Sequence, residues 1–227
     1  DSSLARIIEI NGKKFCAGLW WSPINSAAQA KKEMVELARE NGMNLSTLYS
    51  GGALQAGFAA IESSQLKHYN GAWCMASILA QQLGESWIGA FDLEDGNYIL
   101  IAVHEGRIVP GCDVVADYET IRSMLSDSAS MYPWDTVFIS DERLLEYFAV
   151  GQVDERSLKD ILTAKKWDSS FKMRSNQAGI DPKILIAGIA LILGGGAYFG
   201  WSWYQDGVEQ KRLQEQALID EAARQDK

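Results

Sequence analysis

The chain has 227 residues, a formal net charge of −9 and 47% hydrophobic residues, with three cysteines and two histidines. That length suffices for one domain with a real core, built as one body or two lobes, and the acidic balance argues against nucleic acid as a partner. Cys16, Cys74 and Cys112 are odd in number, widely spaced and without a CxxC pair, which argues against zinc or a redox motif and for free thiols in a reducing compartment.

Leu4–Ile10 is a short β-branched run, then Asn11-Gly12, then Lys13–Trp21. Asn-Gly between strand-like runs predicts a hairpin, because a type I′ turn needs positive φ at both central residues. Alternation puts Phe15, Ala17, Leu19 and Trp21 on one face, and Lys14, Cys16, Gly18 and Trp20 on the other. Trp20 and Trp21 therefore cannot share a core; Trp20 is either covered by a second layer or part of a contact surface. Ser26–Asn41 reads as a helix, capped by Asn25 or Ser26 and ended at Gly42, with Ala27, Ala30, Met34, Leu37 and Ala38 as its apolar stripe. Asn44–Ile61 is ambiguous beyond a strand at Leu45–Tyr49, and Trp73–Leu83 predicts another helix ending at Gly84.

The next block is clearer. Strand-like Ser86–Leu93, the turn Glu94-Asp95-Gly96, strand-like Asn97–His104, the turn Glu105-Gly106 and Arg107–Val115 form a meander. A helix at Tyr118–Ser128 and a strand at Trp134–Ser140 follow. This βββαβ order is that of ribonuclease H-like and actin-like folds, so the expected class is α+β. Two more helices are expected at Asp141–Phe148 and Asp154–Ala164. The predicted organisation is a cytoplasmic domain over 1–164, as lobes 1–84 and 85–164, followed by a basic juxtamembrane linker at 165–183.

Ile184–Tyr204 is twenty-one residues without a charge. As a helix it would be roughly 30 Å long, matching a bilayer's hydrocarbon core. Tyr198, Trp201, Trp203 and Tyr204 form an interface belt at one end. Lys165, Lys166, Lys172, Arg174 and Lys183 precede the span, and the nearest charges after it are Asp206 and Glu209. The positive-inside rule then predicts a cytoplasmic N-terminal domain and a periplasmic C-terminus, with the juxtamembrane bases meeting anionic lipid. Ala190, Gly194, Gly196 and Gly200 place small residues four apart, a helix-packing pattern that would support a homo-oligomer and also arises by chance in Gly-rich spans. The helical stem 205–227 holds six acids and four bases, and a longer external region is expected to follow it. No signal peptide is expected, since no basic and then apolar leader opens the sequence.

Catalytic signatures are weak. In an actin-like fold the first hairpin turn cradles phosphate, but here Asp92-Leu93-Glu94-Asp95-Gly96-Asn97 presents three carboxylates, a poor anion site. A metal on Asp92 and Asp95 is the weaker reading beside a solvated acidic turn. No GxxxxGK[ST] loop occurs, and neither His68 nor His104 has a nucleophile at motif spacing. No catalytic residue, cofactor or metal is assigned.

The run Phe15-Cys16-Ala17-Gly18-Leu19-Trp20-Trp21, the Gln55-Ala56-Gly57-Phe58 element, the βββαβ block and the single late span together resemble the type IVb pilin accessory proteins. These are the PilO proteins of thin-pilus systems and their BfpC-like relatives. The resemblance covers the whole chain, and its motifs are architectural. It implies a bitopic inner-membrane scaffold of a pilus assembly machine, without enzymatic activity, docking the assembly ATPase and inner-membrane subunits. Its cytoplasmic domain would be similar to those of PilM and the type II secretion L component. Trp20, Glu94 and Asp95 are the candidate partner-binding residues. Two other classes compete: a membrane-tethered actin-like nucleotide-binding or ribonuclease H-type metal-dependent enzyme, and a transmembrane sensor.

Overall fold

The computed structural model describes residues 5–147, 152–164 and 166–176, which fall in one compact unit. β1 (Arg6–Ile10) and β2 (Lys13–Ala17) pair antiparallel across Asn11-Gly12, whose φ values of 51° and 71° suit the type I′ turn expected. β6 (Trp73–Cys74) adds to β2 in parallel, with Cys16 opposite Cys74. The expected single strand 13–21 is broken. Gly18, at φ 81°, turns the chain out of the first sheet, and β3 (Trp20–Pro23) begins a second.

The second sheet has the order β12-β4-β5-β3 and is antiparallel throughout, with β4 (Leu45–Ser50), β5 (Leu54–Ala59) and β12 (Arg174–Ser175). The ambiguous region 44–61 is thus a second hairpin. α1 (Ala30–Glu40) packs on one face of this sheet, where Ala30 and Ala38 meet Ala56 and Phe58. The helix start differs from expectation. A 3₁₀ turn at Ala27–Gln29 precedes it, and Ser26 makes no side-chain cap. Instead Glu33 reaches back and accepts from the Asn25 and Ser26 backbone N–H groups, which holds its carboxyl below the usual range.

The third sheet has the order β11-β10-β7-β8-β9, with β11 at Gln152–Asp154. β7 (Trp87–Asp92), β8 (Asn97–His104) and β9 (Arg107–Asp117) form the antiparallel meander, α4 (Tyr118–Ala129) follows, and β10 (Thr136–Ile139) lies parallel to β7. This is the succession expected over 86–140. Alternation sends Trp87 and Phe91 into the main core, while Ile88 and Ala90 face α4. The main core lies between this sheet, the β1–β2 hairpin and α3 (Met75–Gln82), which follows the single-turn α2 (Leu66–Tyr69) and is buried along most of its length.

The C-terminal part departs most from expectation. Asp141–Phe148 holds a 3₁₀ helix at Glu142–Tyr147. Asp154–Ala164 is not one helix: Gln152–Asp154 is β11, parallel to β10, and only Leu158–Ile161 is helical, as the single-turn α5 behind a Ser157/Asp160 capping box. The polar stretch expected as a linker is packed over 166–176. Phe171 and Met173 are buried in the main core, and Arg174–Ser175 pairs with β4. Charged neighbours conceal these two apolar anchors from a composition-based reading. The run Ile184–Tyr204, with Ala190, Gly194, Gly196, Tyr198, Gly200, Trp201, Trp203 and Tyr204, and the stem 205–227 lie outside the described residues. Among the described residues no helix is long and apolar enough to cross a membrane.

Candidate functional site

Two regions were singled out by sequence, the turn at 92–97 and Trp20, and the structure places them on different sheets. In the turn, Glu94 and Gly96 take positive φ (62° and 84°), and the backbone closes on itself. The Glu94 N–H donates to Asp92 Oδ1 (2.7 Å), the Asn97 N–H to Asp95 Oδ1 (3.0 Å) and the Leu93 N–H to the Asn97 carbonyl (2.9 Å). The Asp92 N–H donates to Ser140 Oγ (2.8 Å). The N–H groups of Asp92, Leu93, Glu94 and Asn97 are therefore spent inside the protein and are not turned to a phosphate.

Two of the three acids of the turn, Glu94 and Asp95, are paired with cations. Lys159 Nζ lies 2.7 and 2.6 Å from the two Glu94 carboxylate oxygens, and Arg6 pairs with Asp95. The first hairpin joins the same assembly. Asn11 Nδ2 donates to the Lys159 carbonyl (3.0 Å), and Lys13 Nζ donates to the Ala164 carbonyl (2.7 Å) while sitting over the Trp167 ring. Between Ile8–Ile10, Asp92–Glu94 and Ser157–Lys159 remains a cleft of about 180 Å³. The turns at Asn11-Gly12 and at 92–97 are bridged by α5 and by ion pairs. Among the described residues no three His, Cys, Asp or Glu side chains converge as metal ligands.

Trp20 is 41% exposed, on the edge strand β3, with its ring 5.5 Å from Phe58. Its neighbour Trp21 is buried, and its Nε1–H donates to Asp113 Oδ2 (2.9 Å). Asp113 Oδ1 accepts from the Gly18 N–H (2.7 Å) at the break between β2 and β3. Asp113 reaches this point through a bulge. Ile101 pairs with Asp113 but Val103 with Ile108, so residues 109–112, which include Pro110 and the positive-φ Gly111, lie opposite Ala102. Burial pushes the Asp113 carboxyl up to about 6, while the donors from Trp21, Gly18 and Leu19 pull it down. A buried acid joining the second and third sheets had no sequence signal beyond Pro110-Gly111 inside a strand.

The histidines fall apart. His68 is near Lys14 Nζ (3.2 Å), whereas His104 stacks on Tyr132 (4.2 Å between centroids) and lies 3.4 Å from Ser86 Oγ. That Ser–His proximity was invisible in the sequence, but Ser86 Oγ also accepts the Glu105 N–H. Cys16 and Cys74 are fully buried, and burial raises both thiols, Cys74 to about 12, so neither is a thiolate at neutral pH.

The fold has a solved counterpart. The crystal structure of the cytoplasmic domain of BfpC superposes with a TM-score of 0.56 over 74% of this chain and 96% of that one, at 16% identity. That likeness speaks for the fold alone. No curated protein matches the sequence. The family model for the pilin accessory protein (PilO) matches residues 15–226. With nearly its whole length matched, the chain belongs to the pilin accessory protein (PilO) family.

Proposed function

We propose that this chain is a bitopic inner-membrane scaffold of a type IV pilus assembly machine. Its N-terminal unit lies in the cytoplasm, where it docks the assembly ATPase and neighbouring inner-membrane subunits, and the run 184–204 spans the bilayer. A component of pilus assembly is what membership of the PilO family supports. The actin-like part of the reading is supported by the third sheet: three antiparallel strands, a helix, then two parallel strands in the order β9-β8-β7-β10-β11.

The observation that carries a docking role in place of catalysis is the state of the 92–97 turn. The N–H groups of Asp92, Leu93, Glu94 and Asn97 are consumed within the protein, and two of the turn's three acids, Asp95 and Glu94, are held by Arg6 and Lys159. Trp20, and the still accessible Glu94 and Asp95, are the proposed contact residues.

The test is co-purification of residues 1–176 with the pilus ATPase. A complex at micromolar concentration that Trp20→Ala or Glu94→Lys weakens supports the reading; a folded fragment that forms none overturns it. A thermal-shift measurement separates the enzyme reading. A nucleotide or Mg²⁺ that binds the native state raises the melting temperature, and no shift at millimolar ligand is expected.

A further inference from the structure

α1, β4, the 3₁₀ turn at Ser169–Phe171 and β12 enclose a groove of about 650 Å³. Its charged lining is three cations, Lys31, Lys172 and Arg174, and one acid, Asp168. That is a reversal of sign in a chain of net charge −9. Asp168 is committed locally, capping the 3₁₀ turn through the Ser170 N–H (2.9 Å). Among the described residues the cations are not neutralised. None of the three forms an ion pair with a carboxylate among the described residues, and Lys172 instead lies over the Trp73 ring (4.8 Å).

The rest of the lining is amphipathic. Met34, Val35 and Leu48 supply apolar surface, and Val35 is 45% exposed. Beside them, Ser175 Oγ and Asn176 Nδ2 are buried from solvent without a hydrogen-bond partner among the described residues. Asn176 uses its other amide atom, Oδ1, to accept from Ser46 Oγ (3.0 Å), which leaves Nδ2 as a free donor. Cations and an apolar wall together match a phosphodiester attached to a lipid. Seven residues separate Asn176 from the uncharged run at Ile184, a tether of at most roughly 29 Å.

We infer that this groove binds the headgroup of an anionic phospholipid of the bilayer in which residues 184–204 are anchored. The inference deepens the membrane-anchored reading above and rests on it for the source of the lipid. Lys31, Lys172 and Arg174 take the phosphate, and Met34 and Val35 meet the glycerol and acyl carbons.

The full chain tests this with Val35→Cys carrying an environment-sensitive fluorophore, the three native thiols being buried. In nanodiscs containing phosphatidylglycerol the emission is expected to shift to the blue, and in phosphatidylcholine discs it is not. Lys31→Glu with Arg174→Glu, both at exposed positions, is expected to weaken the response by more than roughly 30-fold, the effect of merely losing two basic residues near an anionic surface. The milder pair Lys31→Gln and Arg174→Gln gives the same direction should charge reversal disturb folding.

Equal emission in the two bilayers, or a shift that survives both variant pairs, overturns the inference. So does a shift produced in phosphatidylcholine discs by inorganic phosphate, which reassigns the groove to a free anion. A shift given by polyglutamate but not by phosphatidylglycerol assigns it to an acidic chain and overturns it too. Should the chain fail to enter the discs, the bitopic reading falls by itself. The same label is then read against phosphatidylglycerol vesicles, where an unshifted emission overturns the groove as well.

Discussion

Asp113 and the two adjacent tryptophans show how much a single side chain decides here. An ionised carboxylate in this buried position is tolerable only because Gly18, Leu19 and Trp21 donate to it. The native state holds its proton up to about pH 6, above the ordinary carboxylate value near 3.8. Protonated Asp113 therefore favours the native state, and its contribution is lost as pH rises from about 4 to 6. The size is on the order of 3 kcal/mol, taking about 1.4 kcal/mol per pH unit of displacement. Asp113→Asn should remove that slope from a plot of denaturant stability against pH. It should also cost about 1–3 kcal/mol at pH 5, because its amide N–H₂ faces one of the former donors. An unchanged slope would acquit Asp113. The tryptophans separate in the same assay. Trp21→Phe strips a donor from a buried acid and should cost about 1–3 kcal/mol, while Trp20→Phe at the surface should stay within about 0.5 kcal/mol. Partner affinity is the property that Trp20→Ala should change, as expected for an aromatic anchor.

At the scale of elements, the ion pairs around the 92–97 turn hold geometry more than stability. Glu94 and Lys159 are both more than half exposed, and Arg6 and Asp95 about two-fifths exposed. Each pair should return about 0–1 kcal/mol in a double-mutant cycle and weaken with added salt. A coupling well above that would mean the turn is more rigidly latched than its exposure implies. Legibility also followed the element. The Asn11-Gly12 hairpin and the 86–140 block were readable because their turns demand positive φ and their strands alternate cleanly. The break at Gly18 was not, since Phe15, Ala17, Leu19 and Trp21 keep one alternation across two sheets and all are buried. β11 and β12 were missed for another reason. Three- and two-residue strands have no period of their own and exist only through their partners β10 and β4. The candidate site fared likewise: residue types marked the acidic turn, but Arg6 and Lys159 meet it from 89 and 65 positions away.

Across the whole molecule, the unit is incomplete without its last described stretch. Phe171 and Met173 are buried in the main core, and Trp167 packs edge-on against Phe15 and Trp73. Burial of such side chains contributes about 1.5–3 kcal/mol each, against a total of about 5–15 kcal/mol for a domain. A fragment ending at 164 should therefore melt far below one ending at 176, or fail to fold, and scanning calorimetry of the two would show it. Equal melting temperatures would mean that 166–176 is only draped on the surface. The same packing bears on the order of events during synthesis. β12 is made some 128 positions after Ser46, the residue it must find, and contacts so distant form slowly. The edge of the second sheet and part of the core thus stay open until almost the entire unit has left the ribosome. The uncharged run follows within a few residues, so the N-terminal unit completes itself only as its hydrophobic successor begins to emerge. In this chain, the finishing of the fold and the emergence of its longest uncharged run become a single timed step.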